Sequence, residues 1–301
     1  MPTTGVNDMI RAAVIGYGNT GRAAVEAIRA AADFVLAGVV RRAVPDGPRD
    51  YPVTTDAAQL GPVDVALLCT PTRLMPGTAE SLLRKGICTV DSFDVHSEIV
   101  SVRGRLDAAA KEVGRVAVVA SGWDPGSDSV VRALMQAMVP SGVTYTNFGP
   151  GVSLGHSVAA KAVPGVKDAV SMTIPKGTGL HRRMVYVELE PGACFDTVKA
   201  AVLADPYFSR DESYVNLVDD VSALRSASHG VNITRMGASG GTSNQRFEYT
   251  HTIDGAALTA SMLVASARAA LRQRPGAYTL IEIPVVDFLP GNREDWIAKL
   301  V

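Results

Sequence analysis

Gly16-Tyr17-Gly18-Asn19-Thr20-Gly21 follows the apolar run Ala12 to Ile15 and opens onto Arg22, the strand-turn-helix setting in which a glycine fingerprint binds a dinucleotide. Gly16 permits the tight turn, Gly18 lets the backbone approach a pyrophosphate, and Gly21 lets helix and strand pack closely while the helix N-terminus faces the anion. All six residues are therefore expected cofactor contacts. The next apolar run ends Val39-Val40-Arg41-Arg42. An acid there bonds a ribose 2′-hydroxyl, whereas guanidinium groups suit a 2′-phosphate, so Arg41 and Arg42 point to NADP. Thr70-Pro71-Thr72 closes the run from Val63 and falls where this architecture places further cofactor contacts, at the carboxyl edge of the sheet. Two more runs end in acids, Asp94 in Thr89-Val90-Asp91-Ser92-Phe93-Asp94 and Asp124 in Ser121-Gly122-Trp123-Asp124-Pro125-Gly126. Either one alone reads as a helix cap or turn former. As a pair at the nicotinamide end of the crevice, they would hold a cation such as a substrate ammonium.

These groups need a parallel sheet to bring them to one edge. Residues 10 to 124 alternate β-branched runs with helix-compatible stretches, the pattern of βαβ units. The strands expected are Ile10 to Ile15, Val35 to Val40, Val63 to Cys69, Ile87 to Val90 and Val116 to Ala120. The helices expected are Arg22 to Ala32, Met75 to Lys85 with Pro76 in its first turn, and Glu98 to Val113, with Gly86 and Gly114 as stops. From Val143 strands follow strands: Val143 to Phe148, Ala169 to Ile174, Met184 to Leu189, Tyr214 to Val221 and Phe247 to Ile253, with one helix, Phe195 to Ala204, among them. That grammar predicts a mainly antiparallel α+β domain for substrate binding and subunit contact. Ala-rich Ala256 to Arg274 is expected to be a helix that returns the chain to the first lobe. The fold class is thus α/β, a doubly wound parallel Rossmann sheet with a second, mainly antiparallel domain. The dinucleotide-binding domain is expected over 1–125, completed by 256–301, and the second domain over 126–255.

Composition narrows the partners. The chain has 301 residues, 47% hydrophobic and 20% charged, with a formal net charge of −1, which gives no electrostatic pull toward nucleic acid or anionic membrane. Met1 to Asp8 lacks the basic and apolar regions of a secretion signal, no run approaches bilayer length, and the cytoplasm is the expected location. Cys69, Cys88 and Cys194 form no CxxC pair, and the first two lie in apolar runs, so inert buried thiols are the plain reading. His96, His156, His181, His229 and His251 lack metal-ligand spacing, and no metal is expected.

GYGNTGR, TVDSFDVH, SGWDPG, TNFGPGVSLGHS and Leu280-Ile281-Glu282-Ile283-Pro284 together resemble the meso-diaminopimelate dehydrogenase family, from about Met9 to the C-terminus. The resemblance implies reversible NADP-dependent oxidative deamination at the D-centre of meso-2,6-diaminopimelate, giving L-2-amino-6-oxopimelate, which cyclises to tetrahydrodipicolinate, and ammonia. It implies a homodimer as well. Carried over by matching position, the amino-group carboxylates are Asp94 and Asp124, the indole wall is Trp123, and Phe148 is a pocket aromatic. Ser153, Leu154 and Gly155 form the loop that meets the reacting carboxylate, with leucine where a methionine is familiar. Thr173, Arg183 and His229 hold the distal L-configured head. The stretch from Pro175 to Arg183 matches the more compact variant of the family. At Gly255 the family's distal asparagine is absent, which implies a looser clamp and slow turnover of D-amino acids that lack the head.

Three rivals share parts of this pattern. A sugar dehydrogenase of the Glu-Lys-Pro type needs a lysine after the strand that here ends Val90-Asp91-Ser92-Phe93-Asp94, and none is present. A dihydrodipicolinate reductase shares the fingerprint. A non-catalytic NADP sensor would need no converging set such as Asp94, Asp124, Arg183 and His229.

Overall fold

The computed structural model describes residues 9–47, 49–224 and 228–301, the side chain of residue 223 excepted. The reading of Met1 to Asp8 lies outside the described residues. The chain forms two compact units: the first runs through Val131 and resumes at Ala256–Val301, and the second is Arg132–Gly255.

The first unit opens with β1 (Ile10–Ile15), α1 (Asn19–Ala30), β2 (Phe34–Val40), β3 (Val53–Thr54), β4 (Val65–Leu68), α2 (Met75–Arg84), β5 (Cys88–Asp91), α3 (Ile99–Glu112), β6 (Val116–Val118) and α4 (Ser127–Met138), within which the division between units falls. The second holds β7 (Ser141–Phe148), β8 (Gly151–Val152), α5 (Leu154–Lys161), β9 (Val166–Gly177), β10 (Leu180–Leu189), α6 (Phe195–Ala204), β11 (Glu212–Leu217), β12 (His229–Ser239) and β13 (Thr242–Ile253). The chain ends with α7 (Gly255–Ala270), β14 (Gly276–Tyr278) and α8 (Arg293–Leu300).

The first unit is built on a seven-stranded sheet of order β14-β6-β5-β4-β1-β2-β3, all of whose pairings are parallel. Its central strands β4 and β5 are buried along their whole length because helices cover both faces, and β4 is accordingly apolar without a break, as parallel sheets require. On one face α1 and the Ala-rich α7 pack Val25, Ile28, Ala260 and Leu263 against Val14, Leu67 and Val90. On the other, α2 and α3 bring Ala79, Leu83 and Leu106 against Ile15, Ala66 and Leu68. The helix stops are real: Gly86 and Gly114 adopt φ +80° and +65°, the left-handed region in which a side chain is strained.

The second unit has a four-stranded sheet, β11-β10-β9-β8, and a three-stranded antiparallel one, β13-β12-β7. Only the β10–β11 pairing in the larger sheet is parallel. Helices α5 and α6 bury Ala160, Val198 and Val202 against Val166, Val185 and Val187 of that sheet. The β9–β10 connection is only Thr178-Gly179, with left-handed backbone at both.

Five local expectations are corrected. Helix α1 starts at Asn19 rather than Arg22, because Gly18 itself caps it. The strand expected to reach Ala120 stops at Val118, since Ala120 turns to φ +54°. A second helix, α5, interrupts the strands, so Ser153-Leu154-Gly155 is the entry to a helix rather than a loop. The Tyr214 strand ends at Leu217 instead of Val221, and α7 ends at Ala270 instead of Arg274. Among the described residues no helix is long and apolar enough to cross a membrane.

Candidate active site

The glycine turn distributes its roles by space. A Cβ on Gly16 would come within 2.5 Å of the Cys69 carbonyl oxygen and one on Gly21 within 2.3 Å of the Gly16 carbonyl oxygen, whereas one on Gly18 would meet nothing within 4 Å. Gly16 and Gly21 are thus required by packing, and Gly18 leaves room for a ligand. Helix α1 has no side-chain cap and no acid in its first turn, so its N-terminal amides, at Asn19, Thr20 and Gly21, and its positive dipole end suit an anion. At the end of β2, the Arg41 guanidinium lies 5.2 Å from the centre of the Tyr17 ring, and Tyr17 accepts a 2.6 Å hydrogen bond from the Tyr51 hydroxyl. Burial, and then that bond, push the Tyr51 hydroxyl up to about 12, so it stays a donor. Arg42 beside it is exposed. Neither arginine has a carboxylate partner among the described residues. Between the ends of β1 and β2 and helix α2 lies a cleft of about 630 Å3, lined by Ile15, Val40, Arg73, Leu74, Thr78 and Lys85 among others.

Past β4 the chain turns through Cys69 and Thr70. The Thr70 hydroxyl oxygen is buried without a hydrogen-bond partner among the described residues, a polar atom left for a polar ligand. Pro71 precedes a short helical turn, and the Thr72 hydroxyl accepts a 3.2 Å bond from the Asp94 backbone N–H, tying the β4 edge to the β5 edge. Burial pushes the Cys69 thiol up to about 12, which keeps it an inert thiol; Cys194 is exposed.

The β5 and β6 edges are joined by Asp91, which the sequence reading passed over. Its side chain is 1% exposed, and Oδ1 accepts from the backbone N–H groups of Phe93 (3.0 Å) and Ala120 (3.1 Å). Its carbonyl oxygen accepts from the Ser121 backbone N–H (2.7 Å) and hydroxyl (2.8 Å). Burial pushes the Asp91 carboxyl up to about 6 against the opposing pull of its two amide donors. These bonds hold the left-handed Ala120 that turns the chain out of β6 into Gly122-Trp123-Asp124. Gly126 then folds back so closely on Gly122 that a Cβ would lie 1.8 Å from its carbonyl oxygen, and the Trp123 carbonyl accepts from the Asp128 backbone N–H at 2.9 Å. Asp94 and Asp124 therefore leave adjacent parallel strands at the same edge. Read along that edge, the groups fall in sheet order: Trp123 and Asp124, Asp94, Thr70 to Thr72, the glycine turn, then Arg41 and Arg42.

In the second unit Thr173, Arg183, His229 and Phe148 come together. Thr173 and Arg183 are paired across β9 and β10, and the buried guanidinium donates from Nη1 to the Thr173 hydroxyl. Phe148, at the end of β7, lies 5.3 Å between ring centres from His181 and 6.3 Å from His229. Ser153 caps α5 without using its side chain; its hydroxyl instead meets His156 Nδ1 at 2.9 Å, and that imidazole is wedged edge-on between Tyr207 and Phe208. Burial first, and then the Arg183 charge, push His156 down to about 4, so the ring is neutral at physiological pH. Leu154 is 41% exposed and Gly155 follows it in the first turn of α5. Sequence reasoning missed His156, His181 and Asp211. His156 carried a signal, its place directly after the Leu154-Gly155 pair; the others are brought in only by strand register.

The comparisons with known proteins agree with this architecture. The family model for the diaminopimelic acid dehydrogenase C-terminal domain matches residues 122–182. A protein of Bacteroides fragilis named meso-diaminopimelate D-dehydrogenase is 55% identical over 97% of this chain and 99% of its own length. The solved structure of Corynebacterium glutamicum diaminopimelate dehydrogenase in complex with diaminopimelate superposes with a TM-score of 0.89 at 31% identity, covering 98% of this chain and all of that one. An engineered D-amino acid dehydrogenase bound to NADP+ superposes with a TM-score of 0.87, also at 31% identity, over 97% of this chain and 100% of its own.

Proposed function

The chain belongs to the meso-diaminopimelate dehydrogenase family, and on that premise we propose how its residues perform the family reaction. It catalyses the reversible NADP-dependent oxidative deamination of the D-centre of meso-2,6-diaminopimelate to L-2-amino-6-oxopimelate and ammonia. The observation that carries the assignment of roles is the order of groups along the first sheet's carboxyl edge, with cations at one end, two aspartates at the other and the glycine turn between.

The open space at Gly18, the uncapped α1 and the buried Thr70 hydroxyl fit a dinucleotide. When bound, NADP supplies the nicotinamide carbon that accepts the hydride. Gly16 to Gly21 hold the pyrophosphate, Arg41 and Arg42 hold the 2′-phosphate, and Thr70, Pro71 and Thr72 line the path between. For hydride to leave the α-carbon, the amine must be neutral so that its lone pair stabilises the developing iminium; water then adds and ammonia leaves. Asp94 and Asp124 orient the amine and take its proton, and Trp123 and Phe148 exclude bulk water. Ser153, Leu154 and Gly155, at the start of α5, meet the reacting carboxylate, Leu154 and Gly155 with backbone N–H groups, since the Ser153 N–H is spent on the Ser171 carbonyl at 2.8 Å. Thr173, Arg183 and His229 seat the distal head, so that recognition of the L-centre presents the D-centre for reaction. The protein acts as a homodimer in the cytoplasm; exposed Tyr249 on β13 supports a subunit contact on that sheet.

Reduction of NADP by meso-diaminopimelate tests the function, with NADPH and ammonia expected in equal amounts; absence of NADPH at saturating substrate would sink it. The 2′-phosphate contacts have their own test. Arg42→Glu removes a charge-assisted contact worth about 1.5 to 3 kcal/mol and adds a repulsion. NADP affinity is expected to fall at least tenfold more than NAD affinity in titrations followed by nicotinamide fluorescence. Equal losses would show that the arginines serve another purpose.

A further inference from the structure

Arg183 is embedded in the second unit with its side chain 10% exposed, and a guanidinium so placed needs a counter-charge. That charge is Asp211, whose Oδ2 accepts from Arg183 Nε at 2.6 Å. The parallel register of β10 on β11 sets Arg183 opposite Ser213, two residues beyond Asp211, which brings the two charges side by side. Asp211 is the more accessible partner, at 26% exposure, and no described residue bonds its second oxygen, Oδ1. The surrounding imidazoles are neutral at physiological pH: burial pushes His156, His181 and His229 all downward, with the Arg183 charge adding to each. The ionic content of the cluster is therefore one cation and one anion in contact.

A lone guanidinium complements any carboxylate. The distal head of diaminopimelate is a zwitterion, with ammonium and carboxylate on one carbon, and its complement is a cation beside an anion. Gly255 supplies no side-chain acceptor for the ammonium. We propose that Asp211 is a specificity-determining residue: through Oδ2 it fixes the Arg183 guanidinium, and through Oδ1 it accepts from the substrate's distal ammonium. This rests on the reading of Thr173, Arg183 and His229 as the distal seat.

The test compares meso-diaminopimelate with D-2-aminopimelate, which lacks only the distal ammonium. Asp211→Asn is informative because its amide oxygen still accepts from Arg183 Nε while its NH2 faces the head, inverting what the ammonium meets. The kcat/KM ratio of meso-diaminopimelate over D-2-aminopimelate is expected to fall about tenfold or more, chiefly through KM, the loss expected for one charge-assisted bond. Asp211→Glu should restore part of the ratio. The measurement is made on variants whose NADP affinity equals the parent's, so that a folding defect is not mistaken for lost recognition. A ratio within twofold of the parent's, whether both substrates fall together or neither changes, overturns the proposal. Arg183→Ala separates the two failures. If it too leaves the ratio unchanged, the distal seat itself is wrong; if it collapses the ratio while Asp211→Asn spares it, only the role of Asp211 is wrong.

Discussion

Asp124→Asn, and to a similar degree Asp94→Asn, is expected to lower kcat by about 10²- to 10⁴-fold, the range lost when a positioned proton acceptor is removed. NADP affinity should stay within a few-fold of the parent's. The two aspartates leave adjacent strands of one edge, next to each other in sheet order and at the far end from Arg41 and Arg42. An amide in either place retains the shape and a hydrogen-bond acceptor but accepts no proton, so the ammonium form of the substrate persists and its lone pair is unavailable. The Asp91 bonds that shape both loops use backbone groups and Ser121 and are untouched by either substitution. Stopped-flow measurement of nicotinamide reduction isolates the chemical step. Near-parental rates in both variants would remove the aspartates from the chemistry and leave them as turn formers.

Arg183→Ala is expected to reduce kcat/KM for meso-diaminopimelate by about thirtyfold or more, from the roughly 2 to 5 kcal/mol lost when one partner of a buried charge pair is truncated. A short substrate such as D-alanine, which does not reach the distal seat, should lose far less. The residues that meet Arg183 directly are Thr173 and Asp211, both within the second unit. Slow turnover of D-alanine by the parent is itself expected, given glycine at 255. Equal losses of kcat/KM on both substrates would assign Arg183 to the fold or the reacting centre.

Some of this was legible in the residues because the physics is local. Ile10–Ile15 and Phe195–Ala204 fall where the sequence puts them, since an apolar run ending at a glycine and a helical stretch with nearby breakers need no distant partner. That these groups gather at one carboxyl edge followed from the βαβ grammar, while their order along it came from the strand order of the folded sheet. What was hidden depends on tertiary satisfaction. β12 escaped notice because Gly230, Gly237 and Arg235 break its alternation, yet Arg235 is buried and satisfied by the carbonyls of Val139 and Pro140 and the hydroxyl of Thr144. Helix α5 buries only Ala160, too little to imprint a period. Asp91 was passed over in the sequence, because only its four hydrogen bonds in the folded chain show it joining two loops. Asp211 lies 28 residues from Arg183, and only the β10–β11 register brings them together.

The central claim is that hydride passes from the D-centre of meso-diaminopimelate to NADP while the L-centre is held. Substrate deuterated at the D α-carbon tests it most directly, by mass spectrometry of the reduced nicotinamide formed in one turnover. The account predicts that the label appears in NADPH and that substrate deuterated only at the L α-carbon transfers none. Unlabelled NADPH from the first substrate, or labelled NADPH from the second, would contradict it.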